Sequence, residues 1–201
     1  MTEGIVISAA VEGNLDEAVV RKLITHAGAT PGDVYGKQGK AFLRQKISAY
    51  NNASRRMPWI VLVDLDCDAD CAPQLRNAWL SDQSPRLCFR IAVREVEAWL
   101  IADVERLSIF IGVARQSIPA DPESLRDPKT TMVNLARASR RREILEDMVP
   151  REGSGRREGP AYSSRLVEFV IYQWRPDVAA IHSESLARAI RCISRLTRIC
   201  P

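Results

Sequence analysis

The chain lacks any apolar run approaching the roughly 18 residues that cross a bilayer, which argues against a membrane-spanning helix. Its opening, MTEGIVISAA, lacks the basic start and long apolar core of a secretory leader, so the expected compartment is the cytoplasm. Cysteine is sparse: Cys67, Cys71, Cys88, Cys192 and Cys200 form an odd set without a regular framework, which excludes a disulfide scaffold. Cys67 and Cys71 stand four apart, but no second cysteine pair or histidine cluster completes a zinc site, and His26 and His182 are isolated. Gly36-Lys37-Gln38-Gly39-Lys40 lacks the serine or threonine and the spacing of a P-loop. There is no internal repeat.

Excess charge is also scarce, since 29 basic and 25 acidic residues leave a formal net charge of +4. Its distribution is more informative. Arg137, Arg140, Arg141, Arg142, Arg151, Arg156, Arg157 and Arg165 crowd one segment, while Asp64, Asp66, Asp68 and Asp70 crowd another. A basic path beside a separate acidic pocket suits an enzyme acting on phosphates, and a solvated arginine-rich surface is the plainer alternative.

What is present in quantity is hydrophobic sequence, 46% of 201 residues, enough for one substantial core. Gly4 to Val11, Pro58 to Val63 and Leu87 to Val93 are continuous apolar runs, the pattern of strands buried on both faces. Between the first two, Leu15, Val19, Leu23 and Ala27 recur at helical spacing before Gly28, and Ala41 to Ala49 predicts a second helix. A helical pattern also follows the third strand through Glu97, Trp99, Leu100 and Ile101. The alternation predicts an α/β fold with a mostly parallel sheet flanked by helices. Helices predicted over 130–142, 162–174 and 183–197 make the C-terminal part largely helical. The expected organisation is one domain, an α/β core over 1–110 with a helical extension over 111–201. Residues 150–160, rich in glycine and proline, predict a loop.

Glu12 follows the first strand and Asp64 and Asp66 follow the second clear one. Strand ends converge on one edge of an open parallel sheet, so these carboxylates are expected to meet there, with Asp64 and Asp66 on one side by strand alternation. Clustered carboxylates either hold protons or take a cation, and oxygen donors favour Mg²⁺ or Mn²⁺. The competing reading makes Asp64 to Asp70 an acidic turn with capping roles. Glu97 is the preferred additional ligand and Glu95 its rival, since on one helix they would diverge by about 200 degrees. Lys129, after Asp127-Pro128, is placed to neutralise a scissile phosphate. Lys37 and Lys40 are expected to contact backbone phosphate at a helix start, and Arg156 and Arg157 to close over a bound strand.

Val11-Glu12-Gly13-Asn14-Leu15-Asp16 and Leu62-Val63-Asp64-Leu65-Asp66 resemble the Toprim pattern of a glutamate followed by Asp-x-Asp. The runs Arg94 to Asp103, Asp127 to Lys129, Gly159 to Tyr162 and Ser185 to Arg188 are similar to stand-alone Toprim-like proteins of the DUF4276 family. The resemblance implies a relative of the OLD family nuclease domain, with Glu12 as ligand or general base, Asp64 and Asp66 as metal ligands, and Asp16 as a further acid. It also implies nucleic acid, in the first instance DNA, as substrate, and an ABC or AAA-type ATPase as partner. Two rival functions stand beside the nuclease. Ile60 to Asp66 is similar to the nucleophile motif of haloacid-dehalogenase phosphatases, with Asp64 as nucleophile, and the chain alternatively serves as a non-catalytic docking subunit.

Overall fold

In a computed structural model that describes residues 4–66 and 68–199, strands and helices alternate through the N-terminal half. The order is β1 (Val6–Val11), α1 (Asn14–His26), β2 (Thr30–Gly36), α2 (Lys40–Ala53), β3 (Trp59–Asp64), α3 (Ala72–Trp79) and β4 (Leu87–Ala92). The four strands form one parallel sheet in the order β2-β1-β3-β4, so the expected α/β class holds. Among the described residues, seven α-helices follow: α4 (Val96–Ile101), α5 (Val104–Ile111), α6 (Pro128–Arg137), α7 (Arg142–Met148), α8 (Tyr162–Tyr172), α9 (Pro176–Ala179) and α10 (Glu184–Ile199). Among the described residues, no helix is long and apolar enough to cross a membrane.

The continuous apolar strands sort by parity into two cores, because successive side chains leave opposite faces of the sheet. Ile7, Ala9, Val11, Ile60, Leu62, Cys88 and Ala92 pack toward α1 and the C-terminal helices. Ala10, Trp59, Val61, Val63, Leu87, Phe89 and Ile91 pack toward Leu43 and Ile47 of α2 and Leu75 of α3. The first core is continuous from β1 through Leu196 of α10, so the helical extension and the sheet share one interior.

Three local expectations need correction. Strand β2, Thr-Pro-Gly-Asp-Val-Tyr-Gly, carries too few apolar residues to read as a strand; its edge position tolerates Pro31, and its register slips between Ile7 and Ala9 of β1. The helix predicted over 130–142 is two helices, because Ser139 turns its hydroxyl to the Ile111 carbonyl and accepts from the Arg141 amide at 2.9 Å. The sequence reading has no helix at α3 or α5; α3 is short and buries only Leu75 fully, with Ala72 and Trp79 packed at the edge of the core. Residues 1–3, Cys67 and Cys200 lie outside the described residues, and with them the expectations for the N-terminus and for Cys67 with Cys71.

Candidate functional site

The strand order reverses beside β1: β2 lies on one side of it and β3 on the other, while α1 packs on one face and α2 and α3 on the other. In an open parallel sheet the carboxyl ends of the strands beside such a reversal, here β1 and β3, are the usual ligand position. Glu12 stands just past β1 and Asp64 closes β3, and the two are joined directly, the Asp64 amide donating to Glu12 Oε1 at 2.8 Å. On the other side of β1, Gly36 permits the close approach of β2 to Val11. A Cβ there would lie 2.4 Å from the Val11 carbonyl oxygen, and its φ of +88° suits glycine alone. The turn beyond it donates Lys37 N to Val11 O at 2.8 Å and Gly39 N to Glu12 O at 3.1 Å.

Two further carboxylates come from helix starts. Asp16, in the first turn of α1, accepts from the Gly13 amide at 2.7 Å, and Glu97, in the first turn of α4, is only 3% exposed. Asp64 reaches the start of α4, where its Oδ1 accepts from the Val96 amide at 3.0 Å. Glu12, Asp16, Asp64 and Glu97 are close enough for their charges to act on one another. Burial and that mutual repulsion push Asp16 up to about 7 and raise Asp64 well above the carboxylate range. Burial likewise takes Glu97 to about 7 against the pull of Lys129, and raises Glu12 despite the Asp64 amide and Lys40.

Lys129, at the start of α6, is the cation of this pocket. Its Nζ lies 3.8 Å from Glu97 and 3.4 Å from Glu158. Burial pulls its pKa down, but Glu97, Glu158 and Glu95 outweigh that and hold it above the ordinary lysine value. Glu95 takes the Lys129 amide at 2.8 Å. Glu95 and Glu97 therefore serve the same lysine, contrary to the helical-wheel expectation, because Glu95 is an extended N-cap residue with φ −144° and ψ 159°. Tyr162, absent from the expected set, donates its hydroxyl to Glu97 at 3.2 Å. Glu158 was also missed; the loop over 150–160 returns it to the site through Gly159, whose amide donates to Met148 O at 3.0 Å. A tyrosine that opens a helix after a Gly-Pro turn was the available signal.

Asp66 is turned differently. Strand alternation stops at Asp64, and Asp66 adopts a left-handed φ of +50°, so the two do not share a side by pleating. Its carboxylate pairs with Lys40 Nζ at 2.8 Å, and Lys40 also holds Asp68 at 2.7 Å. Arg94 Nη1 donates to the Asp66 carbonyl at 3.0 Å. Lys37 pairs with Glu17 at 2.9 Å. In the exposed loop, Arg157 pairs with Asp127, and Arg156 offers its amide to Ser154. The lysines and Arg157 thus neutralise the protein's own carboxylates as the structure stands.

Among the described residues, no three Asp, Glu, His or Cys side chains are already gathered at the distances of a metal shell. Amides and ammonium groups take the carboxylate oxygens instead. The donor chemistry nonetheless suits a hard cation: oxygen donors only, largely buried, repelling one another.

Fold and pocket together define an α/β protein with a carboxylate and lysine cluster at the switch point of a parallel sheet. The chain belongs to the DUF4276 family, a domain of unknown function, whose model matches residues 10–171. That span holds Glu12, Asp16, Asp64, Asp66, Glu95, Glu97, Lys129, Glu158 and Tyr162, and excludes the Ser185 to Arg188 run that also suggested the family. No curated protein and no solved structure matches the chain.

Proposed function

We propose that this protein is a divalent-metal-dependent nuclease cleaving phosphodiester bonds of nucleic acid, DNA in the first instance. The observation that carries the reading is a cluster of four mutually repelling carboxylates, Asp16 and Glu97 buried and Glu12 and Asp64 half-buried, beside a charged lysine at the sheet's switch point. Such a cluster is costly as pure structure, and a cation would remove the repulsion.

Glu12, Asp16, Asp64 and Glu97 would hold Mg²⁺ or Mn²⁺, with Asp66 joining if Lys40 releases it. Bound there, the metal supplies Lewis acidity toward the scissile phosphate. Lys129 neutralises charge that develops on the phosphate oxygens, and its partial burial strengthens that effect. Glu12, raised by burial, is suited to take a proton from an attacking water near neutral pH. Tyr162 fixes the Glu97 carboxylate. The Toprim resemblance and a kinship with the OLD nuclease domain fit this assignment, and an ABC or AAA-type ATPase acting in trans is the partner it suggests. The phosphatase alternative is disfavoured on charge: an aspartyl-phosphate at Asp64 would place a dianion among three carboxylates.

The test is nicking of supercoiled plasmid by purified protein with Mg²⁺ or Mn²⁺. Asp64→Asn is expected to lower the rate at least a hundredfold while calorimetry shows weakened Mn²⁺ binding. No nicking with either metal, together with a beryllofluoride adduct at Asp64, would transfer the assignment to a phosphatase. Absence of both nicking and Mn²⁺ binding would leave the docking role.

A further inference from the structure

Helix α10 carries Arg188, Arg191, Arg195 and Arg198 at spacings of three, four and three, with Glu184 as its sole acid. Its other face, Leu186, Ala189, Cys192, Ile193 and Leu196, is buried in the core, which turns the arginine stripe outward. Like charges three or four apart destabilise a helix by a few tenths of a kcal/mol per pair. This helix has three such pairs in succession. Glu184 answers only Arg188 and Arg191, at 2.7 and 3.1 Å, and those side chains remain 59% and 63% exposed.

The stripe lines a cleft of about 330 Å³ together with Arg90, which reaches it from edge strand β4. The Nε of Arg90 is buried without a hydrogen-bond partner, while the side chain lies beside the Cys88 and Cys192 thiols. Arg90 and Arg188 also line an adjoining cleft of about 390 Å³, whose far wall includes Arg76 and Arg94. Asp70, Glu123 and Glu184 border this second cleft, and Glu123 is engaged by Ser183 and Ser185. Arg94, which lines the second cleft, in turn holds the Asp66 carbonyl, two residues beyond Asp64 of the carboxylate cluster.

We infer that α10 and the edge of β4 form a track for a nucleic-acid backbone, with Arg90, Arg188, Arg191, Arg195 and Arg198 gripping successive phosphates of a strand bound for the carboxylate pocket. The inference rests on the proposed nuclease reading for the identity of the polyanion. From Arg188 to Arg198 the helix rises about 15 Å, at roughly 1.5 Å per residue, long enough to meet more than one phosphate of a bound strand.

Fluorescence anisotropy of labelled single-stranded and duplex oligonucleotides in EDTA tests the track apart from the metal chemistry. The Arg191→Ala/Arg195→Ala variant is expected to bind about tenfold more weakly at low salt. The slope of log K against log salt should flatten by up to about two units, near 0.9 per lost phosphate contact on duplex. Arg191→Lys/Arg195→Lys, which preserves charge, should retain the wild-type slope. Equal affinity and slope for wild type and the alanine variant overturn the track, as does a wild type that binds neither oligonucleotide. Poly-glutamate binding as tightly as the oligonucleotides, with the same loss in the alanine variant, also overturns it and assigns the stripe to acidic protein surfaces. Stripe-dependent binding without nicking would sink the nuclease reading alone; nicking with stripe-independent binding would sink the track alone.

Discussion

Asp16 and Glu97 decide how the protein responds to pH. Both are buried and both are raised to about 7 in the fold, against ordinary carboxylates in the unfolded chain. Between about pH 4 and 7 the native state therefore binds more protons than the unfolded state. Stability from these groups is greatest at the acid end of that window and declines as pH rises through about 7. Each tenfold gain in proton affinity on folding corresponds to about 1.4 kcal/mol. In EDTA, Tm should thus be several degrees higher near pH 5.5 than near pH 8, at about 2–4 °C per kcal/mol for a chain of this size. Glu97→Gln should reduce that difference and raise Tm at pH 8. A Tm that climbs steadily toward pH 8 in the absence of metal would contradict the argument. Mn²⁺ should invert the trend, stabilising most where the carboxylates are ionised.

Turns between elements hold the site, and glycine makes two of them possible. Gly36→Ala would bring a Cβ to 2.4 Å from the Val11 carbonyl and 2.8 Å from Leu43 at a left-handed φ, a cost of roughly 2–4 kcal/mol. Urea unfolding should show the loss as a lower midpoint with an unchanged slope. Gly159→Ala meets the Asp147 carbonyl at 2.4 Å and should displace Glu158 from Lys129, disturbing the site more than the sheet. Neither constraint was visible in the sequence, where both glycines read only as turn residues. Legible there were the elements with strong periodicity: β1, β3 and β4 by their apolar runs, α1 by its repeat and its Gly28 stop. Glu12 and Asp64 were legible because strand ends in a parallel sheet have a fixed address. Strand β2 was not, since an edge strand needs few apolar residues, and Glu95 misled because one residue separates an N-cap from a helix. Tyr162 and Glu158 meet Glu97 and Lys129 through long-range packing, which no local pattern encodes. The arginine spacing of α10 is plain in the sequence, but its meaning depends on Arg90 and the clefts, which only the fold brings to it.

Across the whole molecule, the ion pair of Asp103 with Arg175 is one of the contacts that tie the C-terminal helices to the rest. Asp103 is fully buried at the N-cap of α5, and Arg175 grips it through Nη2 at 2.6 Å and Nε at 3.1 Å. Arg175→Met leaves that carboxylate without its cation and should cost about 3–5 kcal/mol. Thermal unfolding of the variant should fall by about 6–20 °C at 2–4 °C per kcal/mol, and a shift under about 2 °C would show the pair to be dispensable. The sheet itself has two margins of different character. Helix α10 packs against β4, and Ser185 at its start accepts from the Val93 amide just beyond the strand at 3.3 Å. On the other side, β2 presents Pro31, Gly32 and Asp33 together with a slipped register. A strand with a missing donor, an outward charge and an uneven ladder is a poor template for another chain. The irregularity that hid β2 from periodicity therefore also guards the molecule against edge-to-edge aggregation, and straightening it with β-branched residues is the change most apt to bring on strand-mediated assembly.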